Sequence, residues 1–172
     1  MKEVFLYTMP ALIVLAATWI VMYKLFRNEQ QKREWELKKQ SQKEITPIRL
    51  RAYERLALLL ERTTPEHILS ELNIGEMTVL ELQQHLLRTV RVEFDHNLSQ
   101  QIYVSPELWD QLINARDQMG AFVAAMARQL PEGSSATDYA RLLISAYHTN
   151  GDTPHELAMD ALKTEAMSLL TI

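Results

Sequence analysis

Glu93 and His96 are the residues of this chain whose types and spacing come closest to a reactive site. They stand three positions apart, so they would share one face of an α-helix. Helical di-iron proteins hold metal with the same Glu-x-x-His spacing, but they need a second copy and two further glutamates on facing helices. The sequence contains no second Glu-x-x-His. We therefore predict no metal site and no cofactor.

A general acid–base role for this pair would make the protein a small enzyme or a ligand sensor. No nucleophile motif, phosphate-binding loop or dinucleotide fingerprint accompanies the pair. We expect instead that the polar residues from Glu93 to Gln101 form one helix face in a hydrogen-bond network, and we predict no catalytic residue. A neighbouring apolar face would carry Phe94, Leu98 and Ile102. A groove for a partner or a ligand is the alternative.

Helix start signals divide residues 47–172 into amphipathic segments. Thr78 with Glu81 three positions later is a capping box. Ser105 followed by Pro106 is an N-cap with a proline at the first helical position. The predicted helices cover about residues 48–62, 64–73, 79–103, 106–130, 136–149 and 154–170. The fold class is therefore all-α, with a cytoplasmic bundle of five or six helices over residues 47–172.

The histidines outside the Glu93–His96 pair give weaker signals. His67, His148 and His155 stand near the ends of predicted helices. Surface or capping roles are common at such positions, so we expect no ligand site there.

The N-terminus contains a long uncharged run. From Val4 to Tyr23 the sequence is VFLYTMPALIVLAATWIVMY. Twenty helical residues span about 30 Å, the thickness of the hydrocarbon core of a bilayer. A cleaved signal peptide is the alternative, but the apolar run continues past the small residues Ala16 and Ala17, the only candidate cleavage site. We therefore predict a transmembrane anchor at residues 1–23.

Flanking charge predicts the orientation of this anchor. Lys2 is the only basic residue before the run, whereas seven basic residues follow between positions 24 and 43. Positive residues are retained on the cytoplasmic side. We therefore expect a single-pass protein of the bacterial inner membrane with its N-terminus outside and its C-terminal domain in the cytoplasm. Membrane-interface residues would be Trp19, Tyr23, Lys24 and Arg27.

Residues 24–46 are predicted to form a charged helical stalk. The pairs Glu29–Arg33 and Glu34–Lys38 have the four-residue spacing that supports an exposed helix. Because Pro47 lacks a backbone N–H, we expect the stalk to break or bend there.

Net charge separates the two parts of the chain. Residues 1–55 hold 11 basic and 6 acidic side chains, a net of +5, whereas residues 56–172 hold 7 and 16, a net of −9. Binding of nucleic acid needs a positive face, so the acidic part argues against a nucleic-acid partner. The chain has no cysteine, which excludes disulfides and thiolate chemistry.

Two stretches carry a resemblance to a known family. They are ITPIRLRAYERLALLLER at residues 45–62 and VEFDHNLSQQIYVSPELWDQL at residues 92–112. With the uncharged run and the charged stalk, they resemble an uncharacterised family of small single-pass inner-membrane proteins of Bacteroidota. The resemblance implies an inner-membrane location and an all-helical cytoplasmic part. It carries over no catalytic residue, because the family has no assigned activity.

These observations favour a membrane-anchored, non-enzymatic interaction or scaffold protein. Its acidic helical domain would dock a protein partner or a second copy, and its N-terminal helix would contact membrane lipids. The alternative is a small membrane-tethered enzyme or ligand sensor that uses a Glu93/His96 site. The residues predicted to contact a partner are Trp35, Tyr53, Glu93, His96, Asn97, Gln100 and Gln101.

Overall fold

A computed structural model describes the backbone of residues 2–149 and 153–170, and the side chains of those residues apart from 2–8 and 10–13. Within these ranges the chain forms six α-helices and two short 3-10 helices, with no strand. The α-helices are α1 Lys2–Arg62, α2 Pro65–Ser70, α3 Val79–Asn97, α4 Pro106–Arg128, α5 Ala136–Tyr147 and α6 Pro154–Leu170. The 3-10 helices are Ile74–Glu76 and Leu98–Tyr103. The predicted all-α architecture is confirmed.

The predicted caps fix where the helices begin. Thr78 and Glu81 form a capping box at the start of α3. The Ser105 side chain accepts a hydrogen bond from the backbone N–H of Leu108 at the start of α4. A further capping box, Ser135 with Asp138, opens α5 and is one that the sequence analysis did not identify. Each cap satisfies backbone N–H groups that have no partner inside the helix.

The chain divides into two compact units, residues 1–45 and 46–172. In the second unit, α4 packs against α3, α5 and α6. Its core is apolar, and its largest members are almost completely buried: Leu56, Leu59, Leu60, Leu82, Leu86, Leu112, Tyr139 and Leu143. Burying each such side chain contributes about 1.5–3 kcal/mol relative to leaving it exposed. This core holds the helices that carry the candidate site.

The transmembrane anchor predicted at residues 1–23 is contradicted. Among the described residues, no helix is long and apolar enough to cross a bilayer. The side chains of residues 4–8 and 10–13 lie outside the described residues. The single-pass topology and the inner-membrane localisation depended on this anchor and are contradicted with it, whereas the contact of the N-terminal helix with membrane lipids stays a prediction.

Helix α1 continues through Pro47, where a break or bend was predicted. Proline removes the hydrogen bond to the backbone oxygen of Lys43. Lys43 and Pro47 are both exposed, so water can replace the missing donor. The helix therefore extends to Arg62, and its last four turns contribute to the core of the second unit.

The predicted apolar face of Phe94, Leu98 and Ile102 is also wrong. Phe94 is 3% exposed, but Leu98 is 51% exposed and Ile102 is 72% exposed. The cause is that α3 ends at Asn97 and a 3-10 helix follows. A 3-10 helix advances three residues per turn, so the four-residue spacing no longer keeps side chains on one face.

Candidate functional site

The predicted polar face separates into buried and exposed members. Asn97 and Gln100 are each 7% exposed, and Asn97 Nδ2 donates to the backbone oxygen of Glu93 at 2.9 Å. Glu93 is half-buried, whereas His96 and Gln101 are exposed. The structure therefore brings Asn97 to the Glu93 backbone but does not pair the Glu93 and His96 side chains. The described residues contain no group of three or more side chains suited to hold a metal ion.

The remaining residues from the sequence analysis have different surroundings. Trp35 is 62% exposed, and Lys39 Nζ lies 4.8 Å from the centre of its ring. Trp19 and Tyr23 are exposed on α1, where the Arg27 guanidinium lies 5.8 Å from the centre of the Tyr23 ring. Tyr53 is instead buried and belongs to a polar cluster.

Tyr53 is one member of what we call the Glu165 node: Arg49, Tyr53, Ser105 and Glu165. Glu165 Oε1 accepts from the Tyr53 hydroxyl at 2.9 Å, from Arg49 at 3.2 Å and from the backbone N–H of Ser105 at 3.0 Å. The Ser105 hydroxyl donates to Glu165 Oε2. Arg49 also donates to the backbone oxygen of Tyr103 at 2.8 Å. Every polar group of the node therefore has a partner.

The Glu165 node completes the cap of α4 from another helix. A capping box uses a Glu or Gln at the third helical position to accept the N–H of the cap residue. In α4 this position is Leu108, which cannot accept. Glu165 of α6 accepts the Ser105 N–H instead. The start of α4 is therefore tied to α6 and, through Arg49 and Tyr53, to α1.

The node shifts the pKa values of its acidic members. Burial tends to raise the pKa of Glu165, but hydrogen bonds from Ser105 and Tyr53 and the charge of Arg49 outweigh it and lower that pKa. Burial and the Glu165 carboxylate raise the pKa of Tyr53 to about 12. At neutral pH the node therefore holds an ionised carboxylate and a neutral phenol that donates to it.

A second polar contact joins Thr63, the residue after α1, to His155 in the first turn of α6. Thr63 Oγ1 lies 3.0 Å from His155 Nε2, whereas the Glu165 node begins at Arg49. From the first contact to the second, the chain advances from Arg49 to Thr63 on one side and goes back from Glu165 to His155 on the other. The two helices therefore run in opposite directions. Both contacts belong to buried helical stripes that are otherwise mainly apolar, with Leu56 and Leu59 on α1 and Leu162 on α6 among their members.

His155 lines a cavity of about 530 Å³, which we call the His155 pocket. Side chains from α1, α2, α5 and α6 surround it, and four of them are acidic while one is a lysine. The lining residues are Leu60, Glu61, Thr64, Glu66, Tyr147, His148, Thr153, His155, Glu156, Met159, Asp160 and Lys163. A concave site with a few convergent polar groups is typical of a ligand pocket.

The hydrogen bonds of Thr63 favour one tautomer of His155. The Thr63 hydroxyl has a single proton and lies 2.8 Å from the backbone oxygen of Leu59, to which it can donate. With the proton on this bond, Thr63 Oγ1 accepts from His155 Nε2–H. This leaves Nδ1 as an unprotonated acceptor, and Nδ1 is buried without a hydrogen-bond partner among the described residues. Burial lowers the pKa of His155 to about 4, so the ring is neutral at pH 7.

The other groups around His155 are a buried phenol, a second imidazole, carboxylates and one lysine. Burial raises the pKa of Tyr147 to about 12, and its hydroxyl has no hydrogen-bond partner among the described residues. The Tyr147 ring packs edge-on against His155 at 6.2 Å. Glu66 Oε1 is 2.9 Å from His148 Nε2. Hydrogen bonds from the backbone and side chain of Thr153 lower the pKa of Glu156. The pocket therefore has more carboxylates than its one lysine can neutralise.

The sequence patterns assigned neither His155 nor Glu165 to a functional site. His155, Ala158, Leu162 and Glu165 are spaced by three, four and three residues, which places all four on one stripe of α6. The middle two are buried and apolar. A polar residue at each end of an apolar stripe was the available signal. This stripe is hard to recognise because His155 stands between Thr153 and Glu156, which form the cap at the start of α6.

The fold defines this chain as an all-helical bundle protein with a polar pocket between four of its helices. The chain matches the family of unknown function DUF7935 over residues 1–169 and belongs to that family. A search of the curated proteins found no match, and a search of the solved structures found none either. The predicted resemblance to an uncharacterised family is confirmed, whereas the origin in Bacteroidota stays a prediction.

Proposed function

We propose that this protein is a non-enzymatic interaction protein that pairs with a second copy of itself through the first part of α1. One observation carries this proposal: every side chain from Val14 to Ile45 is exposed. We call residues 14–45 the arm. Trp19 is 73% exposed and Phe26 is 62% exposed. A large exposed apolar surface is typical of an interaction site.

The arm has the spacing of a helix-pairing seam. Leu15, Trp19, Met22 and Phe26 are separated by four, three and four residues, which is the a/d pattern of a coiled coil. In the sequence the same register extends back through positions 5, 8 and 12, two of which are apolar. Together these positions cover about three heptads, the length at which such a pattern becomes informative.

The seam ends after Phe26. The next two positions of the register carry Glu29 and Arg33, which pair with each other along the same helix at 3.2 Å. Trp35, predicted above as a partner contact, lies at an outward position of this register. The proposed contact surface is therefore the segment from Leu15 to Phe26.

A second copy of the chain is the partner that these features favour. Identical seams are self-complementary, and most soluble oligomers are symmetric homo-oligomers. No charged side chain stands between Val14 and Tyr23, so two arms that pair through this part of the seam do not bring like charges together.

Sedimentation velocity on the full-length protein tests this proposal. The double variant Trp19→Glu/Phe26→Glu places two charges in the seam and should sediment as a monomer. The matched control Val14→Glu/Val21→Glu adds the same charges with the same seven-residue spacing on the outward side, and it should remain a dimer. A monomeric wild-type protein, or equal dissociation of the two variants, would contradict the proposal.

The alternative of an enzyme or ligand sensor that uses Glu93 and His96 has weaker support. His96 is exposed and Glu93 is half-buried, and their side chains are not paired. Acid–base chemistry needs groups held within reach of one substrate, in an environment that tunes their pKa values.

A further inference from the structure

We infer that the two copies of the arm pair in antiparallel orientation, with the two-fold axis between residues 20 and 21. This inference rests on the proposed pairing through the arm and adds the direction and the register of that pairing. In this arrangement Trp19 packs against Met22 of the second copy, and Leu15 packs against Phe26 of the second copy. A two-fold axis repeats each contact with the copies exchanged, so every seam residue of both copies has a partner.

The sizes of the seam side chains favour the antiparallel pair. All four side chains are exposed on α1 and free to contact a second copy. In a parallel pair each seam residue faces its own equivalent, so Trp19 would face Trp19 and Leu15 would face Leu15. Wide and narrow layers would then alternate. The antiparallel register instead sets each aromatic ring against a smaller side chain, which gives layers of similar volume, and the sulfur of Met22 gains a favourable contact with the Trp19 ring.

The charges that follow the seam favour the same orientation. The next two positions of the register are Glu29 and Arg33. In a parallel pair Glu29 would face Glu29 of the second copy and Arg33 would face Arg33, and like charges placed opposite each other weaken an interface. In the antiparallel pair these residues leave the seam in opposite directions. Glu29 and Arg33 of one copy then keep only their own contact along the helix, at 3.2 Å.

The wider segment after the seam also disfavours a parallel pair. Residues 24–44 carry 7 basic and 4 acidic side chains, a net of +3. A parallel pair would place two such segments side by side along their whole length. The antiparallel pair separates them, because each segment points away from the two-fold axis.

Distance measurement by double electron–electron resonance on the full-length protein tests the orientation. The chain has no cysteine, so one spin label per copy can be attached at Lys24→Cys or at Lys38→Cys. Both positions are exposed, and both lie on the outward side of the register. In the antiparallel pair the axial separation of the two labels grows by about 42 Å from the first site to the second, because each copy contributes about 1.5 Å per residue. We therefore expect the measured distance to be about 25 Å longer at Lys38→Cys than at Lys24→Cys.

Two background variants show whether the distances come from the seam. Adding Trp19→Glu/Phe26→Glu to each labelled chain should abolish the distance between copies. Adding the matched outward pair Val14→Glu/Val21→Glu should leave the distances unchanged. Distances that survive Trp19→Glu/Phe26→Glu would overturn the inference, because the copies would then pair through another surface.

The remaining outcomes separate a wrong orientation from a wrong function. Equal distances at the two sites would indicate a parallel pair, which overturns the inference and leaves the proposed pairing through the arm standing. The absence of any distance between copies at both sites would overturn the proposed pairing and the inference together.

Discussion

Both ends of the contact between α1 and α6 bury polar groups, but the two ends differ in how completely these groups are hydrogen-bonded. At one end Glu165 accepts four hydrogen bonds, from Arg49, Tyr53 and the N–H and hydroxyl of Ser105. At the other end His155 uses Nε2 on Thr63 and leaves Nδ1 without a partner among the described residues. Only the second end borders a cavity of about 530 Å³. A fully satisfied polar network rigidifies the fold, whereas an unpaired buried acceptor costs stability.

The largest expected effect on the free energy of unfolding is at the Glu165 node. Glu165→Ala would leave Arg49 partly buried without its counter-ion and the backbone N–H of Ser105 without its acceptor. We expect the free energy of unfolding to fall by about 3 kcal/mol. The control is Asp160→Ala on the same helix, where the side chain is 77% exposed, and it should cost less than about 0.5 kcal/mol. Urea unfolding measures both, and similar losses for the two variants would show that the node is not structural.

The buried His155 ring should make the stability of the folded protein depend on pH. Burial lowers the pKa of His155 from 6.5 in its ordinary state to about 4 in the folded protein. The unfolded chain therefore binds a proton at higher pH than the folded chain. Stability from this group is complete above pH 6.5 and is lost as the pH falls toward 4. Between pH 6.5 and 5 we expect a loss of about 2 kcal/mol.

Urea unfolding across this pH range checks the expected loss, with His155→Phe as the comparison. The variant removes the titrating group and should have a flat profile from pH 6.5 to 5. The lowered pKa of Glu165 contributes only at lower pH, because stability from a depressed carboxyl is lost below its ordinary pKa. A wild-type profile that is already flat would mean that His155 is not buried as described.

A smaller effect is expected when one donor of the closed node is removed. Tyr53→Phe deletes the hydroxyl that donates to Glu165 and accepts from Arg49 at 2.7 Å. Because both partners keep other hydrogen bonds, we expect a cost of about 1 kcal/mol. Tyr23→Phe, at an exposed position of α1, is the control and should change stability by less than about 0.5 kcal/mol. A cost at Tyr53 as large as that of Glu165→Ala would show that the phenol, not the carboxylate, organises the node.

The smallest expected effect is at the polar face singled out by the sequence. His96→Ala changes an exposed side chain, so we expect a change in the free energy of unfolding below about 0.5 kcal/mol. Asn97→Ala removes a buried amide that donates to the Glu93 backbone, so it should cost about 1 kcal/mol. Thermal unfolding distinguishes them. The reverse order would mean that His96, not Asn97, is the buried member of this pair.

Sequence reasoning performed best where the signal was local. The Thr78–Glu81 capping box and the Ser105-Pro106 start placed α3 and α4 correctly, because a cap depends on residues within one turn. It failed at the end of α3, where four-residue spacing was extended across Asn97 into a 3-10 helix. It also overestimated Pro47 as a helix breaker, since an exposed helix can lose one hydrogen bond to water.

The pocket and the node could not be derived in the same way. The contacts of Thr63 with His155 and of Arg49 with Glu165 join residues about a hundred positions apart, and no periodicity in one helix names its partner in another. The stripe spacing of His155 and Glu165 could have shown that both face inward. It could not have shown that one is fully hydrogen-bonded and the other is not.

The decisive measurement is the protonation of the His155 ring in the full-length protein, which shows whether Nδ1 is a buried acceptor without a partner. Long-range nitrogen–proton correlation spectra report which ring nitrogen carries the proton and at what pH the second proton binds. We expect a neutral ring that is protonated at Nε2 and unprotonated at Nδ1 from pH 7 down to about 5. A proton on Nδ1 at neutral pH, or a ring already charged at pH 6.5, would contradict it.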